Sequence, residues 1–192
     1  LLVPSLSNHN DGVIVPPMAP WLRHFKGLKN LKEVRPHRKI FVLRPGAKTR
    51  RIDNSDELLL ALKGWETVVL EKMSIKEQMK TFAEASHVLA AHGAGLINLL
   101  WCKPGTKVIE VQPKKELHKK ASNEHLAHGH FEKLNKKVYP LLAHNLNLKH
   151  TLFLSDSKMV PLENGEKPKG IKRFTDMITF QINIPEIMEH LE

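Results

Sequence analysis

Residues 87–113 read HVLAAHGAGLINLLWCKPGTKVIEVQP. Val88 to Ala91 is an apolar run of the length a buried strand needs, and His92-Gly93-Ala94-Gly95 follows it. Leu96 to Trp101 is apolar and can start a helix, which Lys103-Pro104-Gly105 breaks before a second strand begins at Val108-Ile109-Glu110-Val111. Strand, glycine turn, helix, strand is a βαβ unit with connections short enough to be right-handed and parallel. Two glycines at its mouth let backbone N–H groups approach an anion, and a helix N-terminus adds a favourable partial charge. The same pair also suits a tight turn with close packing. Without the third glycine of a dinucleotide fingerprint, spacing alone leaves both readings open.

Upstream, Ile40 to Leu43 is a second apolar, β-favouring run that ends on Arg44, and Pro45-Gly46 forces a turn. Lys48 to Arg51 is positively charged, and Asp53-Asn54-Ser55 offers helix caps ahead of Leu58, Leu59 and Leu62. Gly64 ends that helix, and Thr67 to Leu70 is a strand closing on Glu71. Ser74-Ile75-Lys76-Glu77 matches a capping box, with Ile75, Met79 and Phe82 on one helical face. Strands near residues 40, 67, 88 and 108 thus alternate with helices near 56, 75 and 96. The expected architecture is α/β: a Rossmann-like, open, mostly parallel sheet with helices on both faces. Its C-terminal edge, where such sheets receive ligands, should carry Arg44, Glu71, His92 and Glu110.

Residues 1–38 read as an N-terminal arm rich in Pro, Ser and Asn, with a short strand at Val13 to Val15 and a helix over Trp21 to Leu31, packing on the sheet. Residues 39–192 make up the Rossmann-like domain, the whole forming one globular unit. Beyond Pro113, Lys114 to His130 is a basic loop with His118, His125, His128 and His130. No Cys or carboxylate at ligand spacing completes a ligand set with His125-x-x-His128-x-His130, and Gly129 weakens any helix that would align the imidazoles, so no metal is expected. Tyr139 to Leu148 reads as a helix, Thr151 to Leu154 as a short strand, Ser155 to Lys172 as a surface loop, Thr179 to Ile184 as a strand, and Pro185 to Leu191 as a terminal helix with proline at its first position.

A chain of 192 residues, 41% hydrophobic and 26% charged, is long enough for one domain with a sizeable core. No apolar run reaches the roughly 18–20 residues needed to span a bilayer. Lys plus Arg number 30 against 20 Asp plus Glu, and the net charge of +10 favours an anionic partner such as a nucleotide, a phosphate, nucleic acid or an acidic membrane surface. Nucleic acid is the weaker of these, because Tyr139 is the only tyrosine and the basic residues are not interleaved with aromatics. Cys102 stands alone between Trp101 and Lys103 and reads as a small core residue. The chain opens at Leu1 without Met, as a piece of a longer polypeptide would.

Taken together, Arg44, Ala47, Arg50, Ile52 and Asn54 (R-x-x-A-x-x-R-x-I-x-N), then Val68, Leu70, Glu71, Met73, Ser74, Glu77 and Gln78, then HGAGL-x-NLL-x-C-x-PGT and VIEV-x-P, resemble glycosyltransferase family 61. The resemblance runs from about Lys39 to Pro113, with a weaker continuation over Tyr139 to Leu148. It implies an inverting transferase of the two-Rossmann-domain (GT-B) type, moving a hexose or pentose from a nucleotide-diphosphate sugar, UDP-linked by expectation, to a glycan or protein hydroxyl. It also implies chemistry without metal or cofactor. This chain matches the donor-binding half; either the rest of the polypeptide is missing, or a partner chain supplies the acceptor half, or the enzyme is a reduced one. Under that resemblance the compartment is lumenal for eukaryotic members and cytoplasmic for bacterial and viral ones.

Departing diphosphate must then be held by cations and N–H donors. Arg44, one of Arg50 and Arg51, and the Gly93, Ala94, Gly95 turn are the expected set. His92 could donate to phosphate or sugar, or act as base, or pack at a strand end satisfied by backbone. Glu71 could be the base, receive ribose hydroxyls, or pair with an arginine. Glu110 is the expected ribose ligand. The competing readings are a non-catalytic nucleotide-sugar-binding or interaction domain, and a basic nucleic-acid-binding module.

Overall fold

A computed structural model describes residues 33–47, 50–114, 138–159 and 178–191. The N-terminal arm and the histidine-rich basic loop read from the sequence therefore lie outside the described residues, apart from Glu33 to Arg38 and Lys114. Strands β1 (Arg38–Val42), β2 (Glu66–Val68), β3 (Ala85–Ala91), β4 (Lys107–Pro113), β5 (Lys149–Met159) and β6 (Ile178–Gln181) form a six-stranded sheet in the order β2-β1-β3-β4-β5-β6. The first five are mutually parallel and β6 is antiparallel to the far end of β5. The α/β class and the four leading strands match the sequence reading.

Near-continuous apolar runs make these strands because both faces of the sheet are covered. Alternation divides the runs between two cores. Ile40, Val42, Val88, Ala90 and Val108 face α2 (Ile75–Glu84), the segment Ala94–Trp101 and α3 (138–145). Phe41, Leu89, Ile109 and Val111 face α1 (Ser55–Ala61), β6 and α4 (Ile184–Leu191). Cys102 is buried in the first of these cores, as its apolar setting suggests.

The capping box at α2 is formed as read: Ser74 Oγ accepts from Glu77 N–H at 3.3 Å, and the Glu77 carboxylate takes the Ser74 N–H at 2.7 Å. At the opposite end of the sheet from the glycine turn, Arg38 ties β1 to β2 and α2 through Glu66 at 2.6 Å and Glu84 at 3.1 Å.

Four details differ from the expectation. Ala94–Trp101 is a 3-10 helix, not an α-helix. Eight residues must carry the chain back along a seven-residue strand of about 23 Å, and a 3-10 helix covers about 16 Å where an α-helix covers about 12 Å. Asn54 occupies the N-cap position of α1 yet makes no side-chain cap bond. Its amide instead clamps the backbone of Ile182, donating to the carbonyl at 2.8 Å and accepting from the N–H at 2.9 Å. Strand β5 is eleven residues long and takes in the first residues assigned to a surface loop. Finally, Ile184 opens the terminal helix rather than closing a strand.

Candidate functional site

Strands β1 and β3 are neighbours, but the chain leaves β1 toward β2 on one side and β3 toward β4 on the other. Such a reversal point, beyond the C-terminal ends of the strands, is the place where doubly wound sheets bind ligands. Arg44 follows β1, Glu71 lies in a short 3-10 turn (Leu70–Lys72) after β2, and His92 follows β3. Arg44 Nε lies 3.7 Å from Glu71 Oε1, with both side chains partly in solvent. An exposed pair at that distance contributes about 1 kcal/mol at most, so an anionic ligand can displace the glutamate.

Arg50 and Arg51 part company. Arg50 has φ +52°, an uncommon conformation for a side-chain-bearing residue, and its N–H donates to the Ile178 carbonyl at 2.6 Å. A Cβ added at Gly93 would sit 3.8 Å from Arg50 Nη1, so the guanidinium lies against the glycine turn. Arg51 turns away: its guanidinium binds Asp53 at 3.0 Å and the Ala47 carbonyl at 3.3 Å.

The turn itself is held from below. Gly93 is extended, and its carbonyl accepts from Tyr139 Oη at 2.7 Å. Gly95 comes so close to Leu70 that a Cβ would lie 2.8 Å from Leu70 Cδ1, which explains the small residue there. The Gly95 carbonyl accepts from Asn98 at 3.2 Å, and Asn98 donates to Gln78, whose amide in turn binds the Leu70 and Met73 carbonyls. Gln78 is thus a brace between the β2 turn and the glycine turn. The helix ladder begins with Leu96 N–H on the Gly93 carbonyl, leaving the Ala94 and Gly95 N–H groups outside it. These two N–H groups point out of the start of the helix, where a helix N-terminus favours negative charge.

Beneath His92 lies the most constrained group. Val88, Ala90 and His92 share a face with Val108, Glu110 and Gln112, and Glu110 is registered against the small Ala90. Glu110 is fully buried, three residues short of the end of β4. Its Oε1 accepts from His92 Nδ1 and from Gln112 Nε2, the latter at 2.7 Å, and its Oε2 accepts from His150 Nε2 at 2.8 Å. Burial pushes this carboxyl up, but the hydrogen bonds from His150, His92 and Gln112 and the nearby His92 charge outweigh it and hold it at about 2.

An ionised carboxylate only accepts, so Nδ1 of His92 and Nε2 of His150 carry their protons. Among the described residues, no hydrogen-bond partner is found for Nε2 of His92. The Tyr139 ring meets the His92 ring edge-on at 5.5 Å. Burial and the Glu110 charge raise the Tyr139 hydroxyl to about 12, against a lowering by Arg50, so it stays a neutral donor.

The geometry brings Arg44, Glu71, His92, Arg50 and the Gly93 to Gly95 turn to one rim and places Arg51 outside it. Glu110, expected at a strand tip, is instead enclosed below. Sequence reasoning missed His150, Gln112 and Tyr139. For Gln112 a signal existed: Val108, Glu110 and Gln112 alternate with Ile109 and Val111, which marks two polar groups on one face of a buried strand. Among the described residues, no group of three metal-ligating side chains is found, and no helix is long and apolar enough to cross a membrane.

The family model of glycosyltransferase 61 matches residues 1–109, more than half of the chain. The chain belongs to glycosyltransferase family 61. The family 61 match starts upstream of the motifs read from the sequence, at residue 1, and ends inside β4. Beta-1,2-xylosyltransferase RCN11 of Oryza sativa subsp. japonica is 37% identical to it over 71 residues, 32% of this chain and only 13% of that relative's length.

Proposed function

We propose that this chain is the nucleotide-sugar-binding half of an inverting, metal-independent glycosyltransferase, corresponding to one Rossmann-like half of a GT-B enzyme. The donor is a UDP-sugar, and a pentose is the favoured sugar because the relative above is a xylosyltransferase. The observation that carries the reading is a histidine held by a buried carboxylate beside Arg50 and the glycine turn, at the reversal point of the sheet.

In this reading, Arg44, Arg50 and the N–H groups of Ala94 and Gly95 hold the diphosphate. Guanidinium groups suit it because they meet phosphate oxygens in a planar fork. His92, carrying its proton on Nδ1, presents Nε2 as the acceptor for the acceptor hydroxyl's proton. The hydroxyl oxygen bonds to the anomeric carbon from the face opposite the leaving group. The anomeric C–O bond breaks, and its electron pair leaves on the diphosphate. Glu110 stabilises the imidazolium so formed, and thus acts through His92 rather than on ribose. Glu71 relinquishes Arg44 when the donor binds. Acceptor recognition belongs to the rest of a longer polypeptide or to a partner chain.

A thermal-shift screen of UDP, GDP, CMP and their sugars tests the donor class, since a ligand that binds only the folded state raises the melting point. Stabilisation by UDP and its sugars above the other nucleotides is expected. Equal or absent response to all of them overturns the reading. Stabilisation without turnover in the full-length protein would leave a nucleotide-sugar-binding domain without catalysis.

A further inference from the structure

We propose that His150 is a positioning residue: from β5 it locks the Glu110 carboxylate, and through it the ring orientation and tautomer of His92. The proposal rests on the site reading above for its functional meaning, but its geometry and its test do not involve a nucleotide.

A buried carboxylate attached to one imidazole alone can rotate about its last torsion, or swap the oxygen it offers. Glu110 has neither freedom. Oε1 is shared by His92 Nδ1 and Gln112 Nε2, while Oε2 is taken by His150 Nε2 at 2.8 Å. Turning the carboxylate would leave buried donors without an acceptor, which is costly for each one. Gln112 reaches the same oxygen as His92, and its Nε2 lies 3.3 Å from His92 Nδ1, so Gln112 cannot replace His150 at the other oxygen. His150 is the sole anchor of Oε2 among the described residues. It also lies 40 residues from Glu110 and on the adjacent parallel strand, so pairing of β4 with β5 assembles the constellation.

The consequence is electrostatic as well as geometric. Removing a donor from a carboxylate makes that carboxylate more basic, and a more basic Glu110 draws the proton of His92 more tightly. Among the described residues, Glu110 and Gln112 from β4 and the Tyr139 ring from α3 meet His92, His150 from β5 reaches it through Glu110, and Arg50 from the loop after β1 lies against the neighbouring Gly93. Glu110, Gln112 and His150 form the lock.

The test is imidazole nitrogen NMR of the chain in native buffer, for wild type, His150→Leu, His150→Asn and His150→Gln. A glutamine amide nitrogen superimposes on Nε2 of a histidine and keeps the donor, whereas asparagine is too short to reach Oε2. The wild type should show His92 as the Nδ1–H tautomer. His150→Leu and His150→Asn should mix the tautomers, so that the Nδ1 and Nε2 resonances move toward a common averaged position. His150→Gln should restore the wild-type tautomer. If the leucine variant does not fold, the asparagine and glutamine pair supplies the same comparison. A His92 tautomer unmoved in a folded His150→Asn variant would overturn the proposal, as would a glutamine variant that behaves like asparagine. Failure of the donor-site reading shows itself elsewhere, as UDP affinity indifferent to His92→Ala.

Discussion

Glu110→Gln isolates the charge at the centre of the site with little change of shape. The wild-type carboxyl is held at about 2 against an ordinary 4.5, a gap that corresponds to about 3 kcal/mol of folding stability at neutral pH. A glutamine keeps one oxygen but turns an amide NH2 toward an N–H donor, so one of the two imidazoles must change tautomer or lose its partner. The sign of the pH dependence follows from a lowered carboxyl. Its stabilisation is complete above about pH 4.5 and is lost as pH falls toward about 2, with roughly half remaining near pH 3. Urea unfolding of both proteins from pH 7 to pH 3 reads this directly, because other carboxylates cancel in the difference. The variant should be less stable by about 3 kcal/mol at pH 7, a large share of the 5–15 kcal/mol typical of a domain, and the gap should close by about half at pH 3. A gap under about 1 kcal/mol at pH 7, or one that stays constant down to pH 3, would refute an ionised Glu110 in the folded protein.

Tyr139 is the only tyrosine, so the phenolate absorbance of the whole protein reports it alone; its midpoint should fall near 12, and a midpoint near 10 would show that the hydroxyl is not enclosed as described. The raised value also means that its contribution to stability is intact below about pH 10 and is lost as pH rises toward 12. Asn54→Ala should cost about 2–3 kcal/mol in denaturant unfolding, because it leaves the buried N–H and carbonyl of Ile182 without partners; a loss below about 0.5 kcal/mol would make the clamp incidental. Gly93→Ala should leave the fold stable to within about 0.5 kcal/mol, since that residue is extended and the added methyl makes only ordinary contacts with Arg50 and the Ala91 carbonyl, yet it should weaken UDP binding severalfold in a titration; full-strength binding would remove the turn from the site.

The fold was legible where a residue's environment depends on near neighbours. Apolar runs at Ile40 to Leu43, Val88 to Ala91 and Val108 to Val111 announce strands covered on both faces, and the Ser74–Glu77 capping box is a local hydrogen-bond pattern. What could not be read depends on distant pairing. Asn54 looks like a cap until Ile182, 128 residues away, claims its amide. Glu110 looks like a strand-end ligand until His150 arrives on β5.

The two adjacent arginines, equivalent in composition, are separated by one positive φ at Arg50 that sends their side chains to different places. The rim was legible to a greater extent: Arg44, Glu71 and His92 sit where parallel strands end, because alternating βα units put those residues there whatever the register. The 3-10 geometry after the glycine turn was not, since it follows from a chain length measured against β3, and apolar periodicity over eight residues does not distinguish the two helices.

Calorimetric titration of UDP into the wild type, Arg50→Ala, Arg51→Ala and His92→Ala tests most directly whether this rim is a diphosphate site. Affinity should fall tenfold or more for Arg50→Ala and His92→Ala and stay within about twofold for Arg51→Ala, each tenfold being about 1.4 kcal/mol. Equal affinity in all four proteins, or a loss confined to Arg51→Ala, would contradict the account.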